Sequence, residues 1–276
     1  MTPDEYCQRK AVASGSSFYY SFLFLPPERR RAITALYAFC REVDDVVDEC
    51  SDAQLARTKL AWWRLEVGKL FEGKPSHPVT NALRPFIGLF QIRAEQLNEI
   101  IGGMEMDLTQ SRYLDFAGLE RYCYLVAGAV GLLAAGIFGY RDPRTLEYAK
   151  SLGTAFQLTN IIRDVGEDAR KNRIYLPMDE LQKYGVTAAE ILSVTHSENF
   201  KKLMEFQTRR AESFYDKAMQ SLPLEDRRSQ RAGLIMAAIY RATLAEIERD
   251  GFKVLDRRTS LTPLRKFWIA WKTWLS

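Results

Sequence analysis

The sequence predicts an all-α protein folded as a single helical bundle, and three observations carry that expectation. Apolar residues recur at helical spacing along most of the 276 residues. Alternating Val/Ile/Thr runs of strand length are absent. Two acidic segments, Arg41-Glu42-Val43-Asp44-Asp45-Val46-Val47-Asp48 and Asn160-Ile161-Ile162-Arg163-Asp164-Val165-Gly166-Glu167-Asp168, each hold aspartates four residues apart. On a helix that spacing is one face, one turn apart.

Composition narrows the function classes. Hydrophobic residues are 47% and charged ones 27%, as expected of a folded chain with a sizeable core. The cysteines Cys7, Cys40, Cys50 and Cys123 lack paired spacing, so they read as reduced core residues rather than a disulfide frame or zinc site. The two histidines, His77 and His196, lie in polar, Pro- or Ser-flanked segments, which argues against histidine catalysis. The opening Met1-Thr2-Pro3-Asp4-Glu5 does not read as a signal peptide, and a cytoplasmic protein is expected. A net charge of +4 is too mild for a nucleic-acid partner.

In chain order, a first helix from residue 4 reaches Ser14-Gly15-Ser16-Ser17-Phe18-Tyr19-Tyr20. Its Gly-Ser cluster offers N–H groups and hydroxyls to a phosphate, with a turn or helix cap as the alternative. Pro26-Pro27-Glu28 starts a helix that should run to Asp48. Residues 52–72 and 80–101 follow as helices, parted by Gly73-Lys74-Pro75-Ser76-His77-Pro78. Tyr122–Tyr140 is uncharged for nineteen residues. Its glycines and alanines make it only moderately apolar, so it reads as a core helix against which another helix or a long apolar ligand can lie, rather than as a membrane span. A helix over 145–168 carries the second acidic segment. The basic Arg170-Lys171-Asn172-Arg173-Ile174-Tyr175-Leu176-Pro177 is a candidate lid, or else a solvated loop. Helices at 187–192, 197–221 and 225–250 complete the bundle. The tail 264–276 interleaves Phe267, Trp268, Trp271 and Trp274 with Arg265, Lys266 and Lys272. That pattern suits a membrane interface, so the expected location is cytoplasmic with peripheral contact at the inner face of the membrane.

Taking 100° per residue, Tyr37, Arg41, Asp44 and Asp48 share a stripe about 60° wide, bordered by Ile33, Leu36, Cys40 and Val47. Gln157, Asn160, Asp164 and Asp168 form a second stripe beside Phe156 and Ile161. Carboxylates against apolar surface are costly unless something positive meets them. Mg²⁺ prefers carboxylate oxygens and shares its coordination with substrate phosphates, and Arg41 and Arg163 would add charge-assisted hydrogen bonds. The chemistry these parts suit is loss of an allylic diphosphate beside a dry apolar cavity.

Tyr37-Ala38-Phe39-Cys40-Arg41, Asp44-Asp45-x-x-Asp48, the segment Tyr122–Gly131 and Gln157–Asp168 resemble the squalene and phytoene synthases over nearly the whole chain. The resemblance implies a single isoprenoid-synthase domain, residues 1–276, around a central apolar cavity. Residues 14–27 and 40–48 resemble the bacterial presqualene diphosphate synthases of hopanoid biosynthesis. From this comes the expectation of a prenyltransferase joining two farnesyl diphosphates head to head to presqualene diphosphate. NADPH is not expected for that half-reaction. The alternatives are a squalene, dehydrosqualene or phytoene synthase, or a catalytically dead membrane-associated relative. By the same resemblance Asp44, Asp48, Asn160, Asp164 and Asp168 match metal-binding positions. Ser14, Gly15, Ser16, Ser17, Tyr37, Arg41, Gln157, Arg163, Tyr240 and Arg257 match substrate-contacting ones, although Tyr240 alone reads as core packing. The aspartates with Tyr37 form the expected catalytic set. Ser16 stands where carotenoid-type members often carry Lys.

Overall fold

The computed structural model describes residues 1–13, 18–50 and 52–275, and among them the regular elements are all helical. The first three helices are α1 (Pro3–Ala13), the short α2 (Phe18–Phe22) and α3 (Pro27–Glu49). Proline suits the start of α3 because the N–H it lacks has no partner in a first turn. Ile33, Leu36, Phe39, Val43 and Val47 bury one side of α3. α4 (Ala53–Phe71) begins at Asp52, whose carboxylate accepts from the N–H groups of Gln54 (2.8 Å) and Leu55 (3.3 Å). Such a cap is worth about 1 kcal/mol.

The expected helix over 80–101 is divided. α5 (Pro78–Leu83) passes into a tight turn at Arg84–Phe86, and only after a break does α6 (Ala94–Asp107) begin. Pro85 has no N–H to bond back along a helix, and Gln91 takes a left-handed φ of 50°. The apolar periodicity continued across this corner because both pieces face the same core.

α7 (Phe116–Cys123), a π-helical turn at Tyr124–Gly128 and α8 (Ala129–Phe138) make one apolar rod. Phe116–Phe138 is long and apolar enough to cross a membrane by length and composition, yet Leu119, Cys123, Ala129 and Ile137 sit wholly inside the fold. It packs on α9 (Arg144–Arg170), the longest helix described. The two approach so closely that a Cβ on Gly153 would stand 2.4 Å from the carbonyl oxygen of Ala127. Only glycine fits that crossing.

Pro177, the last residue of the basic segment, caps a helix the sequence did not reveal, α10 (Met178–Tyr184). After it come α11 (Ala188–Leu192) and α12 (Glu198–Ser221). The 225–250 segment is a short turn at Leu224–Asp226 and then α13 (Arg231–Arg249). Buried Asp226 accepts from the N–H of Arg141 (2.8 Å), the N–H of Asp142 (3.0 Å) and the Thr145 hydroxyl (2.6 Å), tying that turn to the start of α9. α14 (Pro263–Leu275) lies on α13 through Leu261, Ala270, Ile235 and Ile239.

Two apolar bodies make the core. Leu36, Phe39, Leu60, Leu97 and Ile101 anchor one, and Leu158, Ile162, Leu203, Tyr215 and Leu244 the other. Phe18 and Val126 touch both, and the pocket opens between them.

Gly153→Ala should lower stability by about 1–3 kcal/mol, because the added methyl meets backbone that cannot yield locally. Urea unfolding of the variant tests this; an unchanged midpoint would refute the close crossing.

Candidate active site

The pocket runs from an apolar floor to a charged mouth along two facing helices. α3 lines it from Ile33 through Leu36, Tyr37 and Cys40 to Arg41 and Asp44. α9 lines it from Tyr148 through Leu152, Gly153 and Phe156 to Gln157 and Asn160. Phe18 and Phe22 close one side, and Val126, Val130 and Ala134 of the small-residue rod close another. The rod packs against a helix, as one of its two expected roles had it, and it also lines the cavity. Phe18 stands 5.6 Å from the ring of Tyr37, and Phe156 stands 4.7 Å from that of Tyr240, so aromatic faces ring the middle of the pocket.

At the mouth every acid stripe meets cations. Arg41 donates to Asp44 (2.5 Å) and Asp45 (2.6 Å), and Lys10 pairs with Asp45 (2.8 Å). Arg163 donates two bonds to Asp164 (2.7 and 2.5 Å), and it acts electrostatically on buried Tyr240. The basic segment after α9 is not a solvated loop. Lys171 (3.0 Å) and Arg173 (3.5 Å) reach across to Asp48 on α3, while Ile174 and Tyr175 are buried and Ile174 bonds the Ser111 carbonyl. Asp168 takes up no ion pair among the described residues. No three acids there converge on one point.

Burial and crowding raise several of these acids. Asp44 is pushed up to about 6 by burial and its aspartate neighbours, against the pull of Arg41. Asp168 is pushed up to about 7 by burial, Asp164 and Asp107. Asp107 itself, at the end of α6, was not foreseen. It is held by the hydroxyls of Tyr122 and Tyr175, each 2.8 Å away, and burial lifts it to about 6. The available signal was its register: Asp107 follows Ile100 and Met104, both pocket-lining, at seven and three residues.

Of the other expected contacts, Arg257 does not join the site. It is exposed and pairs with Asp250 (2.5 Å), while its neighbour Arg258 reaches Asp164 (2.9 Å). Gly166 explains that reach. A Cβ there would stand 2.2 Å from the Leu255 carbonyl oxygen, so glycine lets the 253–255 turn cross α9 between its two aspartates. Ser14, Gly15, Ser16 and Ser17 lie outside the described residues. His77 is not simply in a loop: it caps α5 and stands edge-on to Trp63 at 4.7 Å.

The squalene/phytoene synthase family model matches residues 11–265. The chain belongs to that family. It is 34% identical over 275 residues to a phytoene synthase of Arthrospira platensis, covering 95% of this chain and 89% of the relative. It is 34% identical over 267 residues to phytoene synthase 1 of Arabidopsis thaliana, covering 94% of this chain but 63% of that longer protein. The crystal structure of a dehydrosqualene synthase superposes with a TM-score of 0.90 at 29% identity, over 98% of this chain and 95% of that one. The family comprises prenyltransferases of the head-to-head isoprenoid type, which act on prenyl diphosphates. The expected product, presqualene diphosphate from two farnesyl diphosphates, is corrected here. The curated relatives, 31–35% identical across nearly the whole chain, are named phytoene synthases. That expectation leaned on segments 14–27 and 40–48, of which Phe18, Phe22, Cys40, Arg41 and Asp44 line a wall and the mouth rather than the floor.

Asp44, Asp107 and Asp168 hold protons in the folded chain at pH values where an unfolded aspartate, near 3.9, has lost them. Folding therefore takes up protons, and stability should rise as pH falls from about 7 to about 4.5. Below that Glu66 reverses the trend. Burial would raise it, but bonds from Ser76, Thr80 and the His77 N–H hold it at about 2. Melting temperatures in metal-free buffer between pH 7.5 and 5 test this, with Asp168→Asn flattening the slope. A melting temperature that drops over that interval contradicts it.

Proposed function

We propose that this chain joins two prenyl diphosphates head to head in the manner of the phytoene synthases, with C20 chains as substrate. The observation that carries the reading is the pairing of one long apolar pocket with a mouth where acids and guanidinium groups alternate. The names of the curated relatives support the C20 choice.

In donor type the residues suit a divalent metal, which would have to draw the two stripes together, since no three acids among the described residues converge on one point. Asn160 has a buried Oδ1 without a hydrogen-bond partner among the described residues, and the carboxylates around it are crowded enough to be driven toward protonation. Hard oxygen donors of this kind suit Mg²⁺. Asp44, Asp48, Asn160, Asp164 and Asp168 would hold it, and when bound it would neutralise diphosphate charge as a Lewis acid.

The chain's own groups do the rest. Arg41, Arg163, Lys171, Arg173 and Arg258 can turn from their aspartates toward an entering diphosphate, exchanging one anion for another at little electrostatic cost. Charge-assisted hydrogen bonds from guanidinium groups strengthen as the C–O bond lengthens and negative charge moves onto the leaving group. The allylic carbon is left electron-poor among the rings of Phe18, Phe22, Tyr37 and Phe156. Their faces stabilise positive charge, and their bulk keeps water from capturing it. The second chain's double bond then attacks that carbon, and the cation so formed on the second chain loses a proton to the released diphosphate. The joined C40 diphosphate in turn loses its own diphosphate and a second proton to give the hydrocarbon. Tyr37 stands within the pocket wall, where its hydroxyl can relay a proton to diphosphate.

Incubation with geranylgeranyl and with farnesyl diphosphate, each with and without NADPH, tests the reading. Phytoene from the C20 substrate is expected, and a C30 product from the C15 substrate alone would overturn it. Asp44→Asn and Asp164→Asn should each cut turnover by at least about 10²-fold, in the range of losing an electrostatic contact to the transition state, while the helical circular dichroism signal stays. Near-normal turnover in either would remove the acidic stripes from the mechanism.

A further inference from the structure

α14 is an amphipathic helix mounted the wrong way round for a core element. At 100° per residue, Leu264, Phe267, Trp268, Trp271, Trp274 and Leu275 fall on one arc about 120° wide. All six are between 38% and 83% exposed. The side that meets the protein is the opposite one, through Ala270 and partly buried Ile269. A helix that merely completed a core would turn its tryptophans inward.

The flanks of the arc say what covers it. α14 contains no acid, and of its basic residues Lys272 and Arg265 edge the arc, Arg265 pairing with Glu246 of α13 (2.7 Å), while Lys266 lies on the inner side. The Lys272 ammonium lies over the ring of Trp268 at 5.3 Å, and Arg231 of α13 lies by Trp274 at 6.0 Å. Indole rings edged with cations are matched to an interface that is apolar below and anionic above.

The face also stands beside the pocket mouth. Trp274 stacks on Phe24 at 5.6 Å, in the turn just after α2, whose Phe18 and Phe22 line the pocket. On the inner side of α14, Lys266 is close enough to Arg163 and Arg258 to be repelled by both.

We infer that the outward face of α14 docks on an anionic lipid bilayer, setting the pocket mouth at headgroup level. A prenyl diphosphate is itself an amphiphile and would enter from there; the docking does not depend on that reading.

The full chain should co-sediment with vesicles of phosphatidylcholine and phosphatidylglycerol (7:3) and shift its tryptophan emission to the blue. Pure phosphatidylcholine should bind more weakly, and so should the mixed vesicles in 0.5 M salt. The double variant Trp268→Ser/Trp271→Ser should lose at least about tenfold in partitioning, and Lys272→Glu should lose chiefly the anionic preference. Both should keep the helical signal and the rate on detergent-dispersed substrate. Equal binding by the double variant and the parent overturns the inference. So does a concentration-dependent dimer in light scattering that the double variant abolishes, since a second copy would then cover the face. Sedimentation reads docking and product formation reads catalysis, so the two can fail separately.

Discussion

Carboxylates confined at the rim of an apolar pocket are the constraint on which the rest of this structure depends. Asp44, Asp48, Asp164 and Asp168 sit on two facing helices, and burial with neighbouring aspartates raises Asp44 and Asp168 well above the usual carboxylate range. Repulsion between such neighbours is tolerated only where cations are close, and here they come from every side. Arg41 and Arg163 lie on the same helices, Lys171 and Arg173 on the segment after α9, and Arg258 on the approach to α14. The same arrangement that makes the rim costly makes it receptive to a species carrying both metal and phosphate.

Several features far apart in the chain exist to hold that rim. Asp107 fastens Tyr122 of the pocket wall and Tyr175 of the basic segment to a single carboxylate. This brings Lys171 and Arg173 over Asp48 instead of leaving them in solvent. Gly166 lets the 253–255 turn pass between the two aspartates of α9, and Arg258 follows. Neither residue need touch a substrate to matter.

The two acid stripes were legible because helical period alone aligns them, and the helices carrying them were legible from apolar rows and, for α3, a proline start. The split of 80–101 was not, since both pieces present apolar residues to the same core and the corner at Pro85 interrupts the chain without interrupting the pattern. α10 hid behind Pro177, which can end one element and begin the next. Arg258 was missed and Arg257 preferred because neighbouring arginines differ in sequence by one position but in direction by the turn that Gly166 permits. Asp107 was readable in principle, as an acid in line with Ile100 and Met104. The outward set of α14 was visible as a pattern of tryptophan and lysine, whereas the side on which it packs required the fold.

α9 is one uninterrupted rod of 27 residues, about 40 Å long, that builds the floor of the pocket at one end and its charged rim at the other. Inserting a single residue between Gly153 and Asn160 would swing the aspartates about 100° away from α3, and deleting one would swing them the opposite way. The floor and the rim are therefore geared together: side-chain volumes along the rod can change without turning the rim, whereas a change in its residue count cannot.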